Sequence, residues 1–449
     1  MSTLPESTSV LIVGAGPIGL TMALALQKHG VQDIVIVDAQ EERENYGWSS
    51  RASMIHAATL EALDTVGLAE PLTAIGVKGK GLVHHEWGTS FTAVDITSLA
   101  SYTPFPYALL LPQSQTEEIF TKLVEEQGIK IHRPYRAAGL SVNRKLGGAD
   151  VTFDNGEHIR ADYVVGADGS HSVIREASGI AFRDPDELAA AGTGNTFVQQ
   201  LCHADLVFSG ADPLTSPDYL ETNVTPTAIL MSIPLPPSYQ GPIPLAPNEF
   251  ARRIAFNVPA SEGVPPQNPN LEFLQDQVNR KGPASMSSDV AVNSTPTKVS
   301  RVIWSSRYKM RYAVAETFAK VVTDESGERG ALVTLVGDAG HTHSPLGGQG
   351  MNLGVRDAMF LAPVLAEHIL AVGEPLQKDR KKIEEWAASR RERALKTITM
   401  TKALSKATNS VMANSRIVRF VKFWAWRWLS AIPFIKRMTA WRFAGLGNR

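Results

Sequence analysis

The stretch SVLIVGAGPIG at residues 9–19 decides the fold of this chain of 449 residues. Residues 9–13 form a short, mostly β-branched apolar run bounded by glycine, which predicts a buried parallel strand. Residues 18–29 then predict a helix that ends at Gly30, and residues 33–37 (DIVIV) predict a second buried strand. The first 38 residues therefore predict one βαβ unit.

The turn of this unit carries the pattern G-x-G-x-x-G, which is typical of dinucleotide binding. Gly14 permits the tight turn, Gly16 lets backbone approach a pyrophosphate, and Gly19 allows the helix to pack closely on the strand. The N-terminus of the helix offers N–H groups and partial positive charge to phosphates. Asp38 ends the second strand, where a carboxylate can bind a ribose hydroxyl. The pattern predicts a dinucleotide cofactor without choosing between NAD and FAD, and its predicted binding residues are Gly14, Gly16, Pro17, Ile18, Gly19 and Asp38.

The composition excludes several classes of protein. Lys and Arg number 44 against 45 Asp and Glu, a net charge of −1, so the basic excess expected of a nucleic-acid-binding chain is missing. The single cysteine, Cys202, allows neither an intrachain disulfide nor a cysteine-rich metal site. A chain without disulfides fits a reducing compartment, so we expect a cytoplasmic protein. Residues 222–248 are uncharged, but their prolines rule out one membrane-spanning helix.

Two later stretches repeat the transition from strand to glycine. They are DYVVGADG at 162–169 and LVTLVGD at 332–338, and a predicted helix runs from near Gly350 to about residue 370. If all three stretches bind one cofactor, the cofactor domain is discontinuous. Residues from about 190 to 305 alternate in polarity and predict an antiparallel sheet. The polar stretch 319–331 predicts a long loop.

The three motifs together resemble those of the single-component FAD-dependent aromatic hydroxylases, the flavoprotein monooxygenases related to p-hydroxybenzoate and phenol hydroxylases. The motifs are GAGPIGL at 14–20, GADGSHSVIR at 166–175, and GDAGH at 337–341 with the run from 345 to 352. Their order and spacing match the family over about residues 8–370. The resemblance therefore selects FAD as the cofactor.

The resemblance implies roles for individual residues. Asp338 would hold the ribityl chain, Gln113 would contact it, Arg51 would lie near the flavin, and Asp168 would support both flavin and nicotinamide binding. The alternatives are a helix cap for Asp168, a surface ion pair for Arg51 and a plain helix start at Gln113. The cofactor-binding residues that the resemblance adds are Arg51, Gln113, Asp168, Gly337, Asp338, Pro345, Gly347, Gly348, Gly350, Met351 and Asn352.

The implied fold is α/β (α+β), with a Rossmann-like FAD-binding domain interrupted by an inserted antiparallel β-sheet domain. We expect the FAD-binding domain at residues 1–80, 111–185 and 306–375. We expect the substrate-binding sheet at 81–110 and 186–305, and a C-terminal helical region at 376–449.

The implied reaction uses NAD(P)H, with NADPH favoured, and dioxygen. One oxygen atom would be inserted through a flavin hydroperoxide into a phenolic, aromatic or polyketide-like small molecule, most simply as a hydroxyl group. A dehydrogenase or oxidase of the same fold and a non-catalytic flavin-binding protein stay open as alternatives. No catalytic acid or base is identified, and no metal is predicted at His341 and His343 because they fall in the flavin loop. The catalytic candidates, each with a packing or surface role as its alternative, are Tyr219, Tyr239, Arg307, Tyr308, Arg311 and Tyr312.

The carboxyl end of the chain is strongly polarised in charge. From Arg393 to Arg449 there are twelve Lys and Arg and no Asp or Glu. This segment also holds Trp424, Trp426 and Trp428. Such a tail can make peripheral contact with a membrane surface. The interpretation we favour is that its aromatic face packs on the enzyme or on the partner subunit of a homodimer.

Overall fold

A computed structural model describes residues 4–41, 52–186, 200–210, 218–226, 228–239, 244–309, 311–345, 347–413 and 415–448. The helices in these ranges are α1 (Pro17–Lys28), α2 (Ala57–Asp64), α3 (Ala69–Thr73), α4 (Gln113–Glu126), α5 (Val173–Ala177), α6 (Leu271–Lys281), α7 (Gln349–Leu370), α8 (Lys381–Ala413), α9 (Arg416–Ser430) and α10 (Pro433–Phe443). The strands in the first half are β1 (Ser7–Val13), β2 (Ile34–Val37), β3 (Met54–Ile55), β4 (Val77–Gly79), β5 (Gly81–Glu86), β6 (Thr89–Asp95), β7 (Ala108–Leu110), β8 (Ile131–His132), β9 (Ala137–Val142), β10 (Ala149–Phe153) and β11 (His158–Gly166). The later strands are β12 (Phe182–Arg183), β13 (Gln200–Ser209), β14 (Tyr219–Val224), β15 (Ile229–Pro234), β16 (Glu249–Val258), β17 (Lys298–Lys309), β18 (Ala313–Ala315), β19 (Ala319–Thr323), β20 (Gly330–Leu335) and β21 (His341–Thr342).

The predicted βαβ unit lies at the centre of an eight-stranded sheet. The main strand order is β19-β20-β11-β1-β2-β8, and β10 and β9 extend it from β11. Strand β1 pairs in parallel with β2 and β11, and β11 pairs in parallel with β20. Parallel strands end at the same edge of a sheet, so the loops that follow β1, β11 and β20 meet there. The three sequence motifs are these loops.

The central strand is apolar throughout because the sheet is covered by helices on its faces. Val10, Leu11 and Ile12 are fully buried. Helix α1 packs against α4 and α7, so the first and third motifs are tied together by the helices that follow them as well as by the sheet. The result is a single apolar core beneath all three loops.

A seven-stranded sheet forms the inserted part of the chain, with the order β17-β13-β16-β15-β14-β5-β6. Its pairs are antiparallel except for β14 with β5, which are parallel. A parallel pair needs a long connection, and the chain passes through strands of the other sheet between β5 and β14. Helix α6 covers one face of this sheet through a cluster that includes Leu274 and Val278. The domain boundaries given above stay a prediction.

The stretch 319–331 is not the long loop that its polarity suggested. Residues 319–323 form strand β19, which pairs antiparallel with β20 and closes one edge of the eight-stranded sheet. The prediction was wrong because the charged residues all fall in the turn, 324–329, whereas Val321, Val322 and Thr323 are β-branched residues that favour a strand.

The C-terminal helices pack on the enzyme, as favoured above for one face of the tail. Helix α10 lies against β6 and the short helix Ile96–Leu99. Arg419 pairs with Glu86 at 2.6 Å, and Lys436 pairs with Asp95 at 2.6 Å. Within the described ranges, none of the helices is both long and apolar enough to cross a membrane.

Candidate functional site

The three sequence motifs touch one another at the carboxyl edge of the eight-stranded sheet. The Ala167 N–H donates to the Val13 carbonyl at 2.8 Å, and the Val336 N–H donates to the Gly166 carbonyl at 3.0 Å. A Cβ added to Gly337 would lie 3.1 Å from the Ile18 side chain. Motifs separated by more than 300 residues in sequence therefore form one surface.

Two glycines of the first motif are required by the protein's own packing. Gly14 has φ +109°, and a Cβ there would lie 2.3 Å from the Ala167 carbonyl oxygen. A Cβ on Gly19 would lie 1.9 Å from the Gly14 carbonyl oxygen. Both contacts are with backbone, which cannot move aside. These residues fix the turn and the approach of helix to strand.

Two other glycines have no such internal reason. Gly16 precedes α1 with φ −75°, and Gly350 lies in the first turn of α7. A Cβ on either residue would meet nothing within 4 Å, and neither has a positive φ. Open space at two helix N-termini, kept free of side chains, is a cradle for an anionic group. The geometry therefore fits a pyrophosphate at Gly16 and a second electron-rich group at Gly350.

Asp38 lies beside the first loop, where it was predicted. Its Oδ2 accepts from the Ala15 N–H at 2.7 Å. Its Oδ1 accepts from the Gln40 N–H at 2.8 Å and contacts Arg133 at 3.0 Å. A carboxylate has about four acceptor positions, and these contacts occupy three of them. Its ribose contact stays a prediction.

Asp168 caps the helix after the second motif, as its structural alternative anticipated. Its Oδ2 accepts from the Ile174 N–H at 3.2 Å, and Ser172 Oγ accepts from the Arg175 N–H at 3.0 Å. Its Oδ1 is buried and has no hydrogen-bond partner in the described part of the chain. Burial raises the pKa of Asp168, against the effect of the hydrogen bonds from Ser172 and the backbone. The orphaned oxygen leaves room for the expected ligand role as well.

Arg175 joins the second motif to the third. Its guanidinium donates to the Ala339 carbonyl at 2.9 Å and to the Ser170 carbonyl at 3.2 Å. The guanidinium also stacks on Phe182, with 3.9 Å to the ring centroid. Burial lowers the pKa of Arg175. This residue positions the two loops.

The third motif presents an acid and a glycine turn. Asp338 is exposed between the buried residues Gly337 and Ala339, at the end of β20. Gly347 and Gly348 have φ +85° and +61°, which only glycine adopts freely. A Cβ on Gly348 would lie 2.5 Å from Met54 Cε, so this turn also packs closely on β3. Pro345, half-buried, and Met351, buried, flank the turn.

Asn352 fixes the start of α7 through its side chain. Its Nδ2 donates to the Met54 and Gly348 carbonyls at 2.8 and 2.7 Å, and its Oδ1 accepts from the His56 N–H at 2.7 Å. The residue is fully buried. Its side chain therefore holds β3 against the glycine turn, and its contact with the cofactor stays a prediction.

Gln113 and the segment next to Arg51 are brought together. Arg51 itself lies outside the described residues. The Ala52 N–H donates to Gln113 Oε1 at 3.3 Å, and Arg253 donates to the Ala52 carbonyl at 3.0 Å. Gln113 Nε2 donates to Glu117 at 2.7 Å. Both polar groups of the Ala52 backbone are thus fixed, one by each sheet's part of the chain.

A buried ion network beneath the third motif was missed by sequence reasoning. Asp357 accepts from Arg390 Nε at 2.7 Å and contacts His341 Nε2 at 2.6 Å. It also accepts from the Gly337 N–H at 3.3 Å. Burial opposes ionisation of Asp357, but Arg390 and His341 outweigh it and hold the pKa of the carboxyl below its usual range. Among the residues that the structure describes, no cluster of His, Cys, Asp and Glu could hold a metal ion.

Several catalytic candidates are bonded elsewhere in the protein. Tyr239 donates to Asp205 at 2.8 Å, and burial raises its pKa. Arg307 donates to the Pro265 carbonyl at 2.9 Å, and Tyr312 contacts Ser405 at 3.2 Å. The Tyr308 side chain is outside the described part. These contacts support the packing and surface alternatives given above.

His56 is a further residue that the sequence did not single out. Its Nε2 lies 2.9 Å from the Gly347 carbonyl, which can only accept, so Nε2 carries the proton. Its Nδ1 is buried without a partner among the described residues. Burial lowers the pKa of His56 to about 4. A neutral imidazole thus braces the glycine turn.

The His56→Gln variant should lose much of the protein's sensitivity to mild acid. Between pH 6.5 and about 4 the unfolded chain protonates this residue and the native protein does not, so stability falls as the pH falls. At ~1.36 kcal/mol per pKa unit, the full effect is about 3 kcal/mol. Urea unfolding from pH 7 to 4 measures it, with the exposed His29→Gln as control. Equal acid sensitivity of the wild type and His56→Gln would contradict this assignment.

Comparison with known proteins agrees with the geometry of these loops. A model of the FAD binding domain matches residues 7–219 and 264–398, more than half of the chain. The chain belongs to this FAD-binding family. FAD is therefore the dinucleotide for which the cradle is built, and the expected resemblance to FAD-dependent aromatic hydroxylases is confirmed.

Relatives of this FAD-binding chain carry more than one kind of name. It is 28% identical over 366 residues to 6-methylpretetramide 4-monooxygenase of Streptomyces rimosus, covering 81% of this chain and 56% of the relative. It is 26% identical over 389 residues to dialkyldecalin synthase of Streptomyces rugosporus, covering 86% of this chain and 71% of the relative. The chain thus spans little more than half of the first relative's length.

The solved structure of p-nitrophenol 4-monooxygenase from Pseudomonas putida has the same fold. It superposes with a TM-score of 0.72 at 21% identity and covers 98% of this chain and 99% of its own. At this identity the likeness concerns the fold alone. It confirms the predicted class, a Rossmann-like FAD-binding fold with an added sheet and C-terminal helices.

Proposed function

We propose that this protein is an FAD- and NAD(P)H-dependent monooxygenase that hydroxylates an aromatic or polyketide-like small molecule. The observation that carries the proposal is the meeting of three motifs around two glycines, Gly16 and Gly350, that no contact within the protein requires. Family membership identifies the ligand of that cradle as FAD. The monooxygenase names among the relatives support the reaction class.

The residues of this chain would divide the cofactor among the three loops. The start of α1, with Gly16, would hold the pyrophosphate, and Asp38 the ribose. Asp338 and Gln113 would hold the ribityl chain. The start of α7 would direct its partial positive charge at the electron-rich edge of the ring system, where a fixed dipole stabilises negative charge without rearrangement. When bound, FAD supplies reduction by NAD(P)H and the activation of dioxygen.

The surroundings of the glycine turn suit an apolar substrate. Met54 contacts Gly348 and belongs to a buried apolar cluster with Leu220 and Ile233 of the seven-stranded sheet. The same cluster includes Ala440 from α10. Apolar side chains from three parts of the chain keep water away from the turn. Exclusion of water is what oxygen transfer to a bound ring requires.

Labelled dioxygen tests the proposed reaction directly. The purified protein with FAD would be supplied with NADPH or NADH and a panel of phenols and polyketide aromatics. We expect faster NADPH oxidation with one class of compound and one labelled oxygen atom in its product. A product that carries no label would reject the monooxygenase and support an oxidase or dehydrogenase of this fold.

A non-oxidative cyclisation is the second candidate function. The dialkyldecalin synthase among the relatives favours it, because the name describes ring formation without oxygen transfer. This activity would consume neither NADPH nor dioxygen, so the same assay separates the two functions.

We also propose the cellular context from the same chemistry. Cys202 is a free and buried thiol, and burial raises its pKa to about 11, so the chain makes no use of an oxidising environment. NADPH is the favoured reductant, and a cytoplasmic location is consistent with both. A homodimer stays a prediction that light scattering of the purified protein would test.

A further inference from the structure

Helix α9 has one face that is fully committed to the enzyme. Arg419 and Phe423 are buried on this face, and Arg419 donates to Glu86 at 2.6 Å. Phe423 lies edge-on to Phe91, with 5.4 Å between ring centroids. The helix is therefore held in a fixed orientation on the edge of the seven-stranded sheet.

The opposite face of α9 is apolar and exposed. Residues at positions i, i+4 and i+11 of a helix lie on one side, and Ile417, Val421 and Trp428 occupy such positions with exposed fractions of 76%, 59% and 71%. Their neighbours continue the surface into the turn before α10. We call this surface the outer stripe, and it consists of Ile417, Val418, Val421, Trp428, Leu429 and Ile432.

The charge around the outer stripe has one sign. No Asp or Glu occurs from Arg393 to Arg449. Lys422 and Arg416 are exposed on α9, and Arg442 is exposed on α10. The acids of the sheet that lie nearby, Glu86 and Asp95, are already paired with other residues of the tail. An uncovered apolar helix bordered by unopposed positive charge is typical of a helix that lies in a membrane interface.

We propose that the outer stripe is a membrane-docking surface that takes anionic phospholipid, so that the enzyme works at a membrane surface. This inference goes beyond the proposed reaction. The apolar side chains would enter the boundary between headgroups and acyl chains, Trp428 would lie at the headgroup level, and Lys422 and Arg416 would contact lipid phosphates.

A second copy of the chain suits this surface less well. A two-fold interface brings each surface patch against itself, so two outer stripes would place only positive residues opposite one another. The tail offers no acid to pair with them. Anionic lipid supplies the missing charge, and this is why we choose the membrane as the occupant.

Vesicle sedimentation of the full-length, FAD-loaded protein tests the proposal. The vesicles would be phosphatidylcholine alone and phosphatidylcholine mixed with phosphatidylserine. We expect binding to the mixed vesicles that weakens with added salt. The triple variant Ile417→Ser, Val421→Ser, Trp428→Ser should bind at least about tenfold more weakly. Lys422→Gln should lose about fivefold on the mixed vesicles only, because one basic residue contributes a factor of that size.

Matched controls keep the test independent of folding and of catalysis. The triple variant Val290→Ser, Val292→Ser, Val372→Ser removes apolar groups that are just as exposed elsewhere, and it should bind vesicles like the wild type. FAD content and melting temperature should be unchanged in every variant. Absence of wild-type binding, or equal loss in the control triple variant, would overturn the proposal. So would a dimer that the outer-stripe variant dissociates, because the stripe would then be covered by a second copy.

Discussion

Replacing Gly16 with valine is expected to strip FAD from the protein and leave the fold intact. The new side chain meets no protein atom within 4 Å at its Cβ, so the core does not need to move. It occupies instead the space in which the pyrophosphate approaches the start of α1. Losing one or two hydrogen bonds to a charged group costs on the order of 3 kcal/mol, which weakens FAD binding about a hundredfold or more.

Absorbance of the purified flavin and FAD titration of the apoprotein measure this effect. Gly14→Val is a contrasting variant, because its side chain would collide with the Ala167 backbone and should prevent folding altogether. Gly447→Val serves as control, since a Cβ there makes ordinary contact with Trp441 at 3.7 Å, and FAD should be retained. A Gly16→Val protein that keeps a full complement of FAD would place the pyrophosphate somewhere else.

The parts of the fold that sequence could predict are those set by short-range patterns. The strand at residues 9–13, the turn at Gly14 and the helix to about residue 29 follow one another within 20 residues, and the structure confirms them as β1 and α1. The meeting of the three motifs followed from a general rule that parallel strands end at one edge. Recognising a strand before each motif was enough to predict it.

The supporting contacts of the site could not be predicted, because their partners are distant in sequence. Asn352 bonds to His56, which is 296 residues away, and Asp357 bonds to Arg390, which is 33 residues away. Nothing local marks these residues as partners. A carboxylate in a helix predicts an exposed side chain on average, and only the packed core shows that Asp357 is buried.

The C-terminal tail shows the same division. Its composition predicted an amphipathic, basic segment, and α9 is one. Which face would meet the enzyme depended on Glu86 and Phe91, which come from strands more than 300 residues earlier. The pattern therefore indicated that the tail has an apolar side, and the structure shows that one apolar side is covered and another is open.

Replacing Asp357 with asparagine is expected to cause the largest loss of stability among the substitutions considered. The variant leaves Arg390, which is 5% exposed, without its counter-charge in the core. Breaking a buried pair by removing one partner costs about 3–5 kcal/mol. The pKa of Asp357 is held below its usual range, so its contribution is present above the unfolded value of about 4 and is lost as the pH falls through the native value. The acid limb of the stability curve below pH ~4 should therefore flatten in this variant.

Urea unfolding at pH 7 separates this ion network from an ordinary surface pair. Glu367→Gln removes one partner of the exposed pair with Lys382, whose exposed fractions are 61% and 63%, and its effect should be too small to resolve. Adding Arg390→Met to Asp357→Asn should recover part of the loss, because the stranded charge is removed along with its partner. If Asp357→Asn unfolds at the same urea concentration as Glu367→Gln, the network does not support the third loop. If the double variant is the sum of its single variants, the two side chains do not act as a pair.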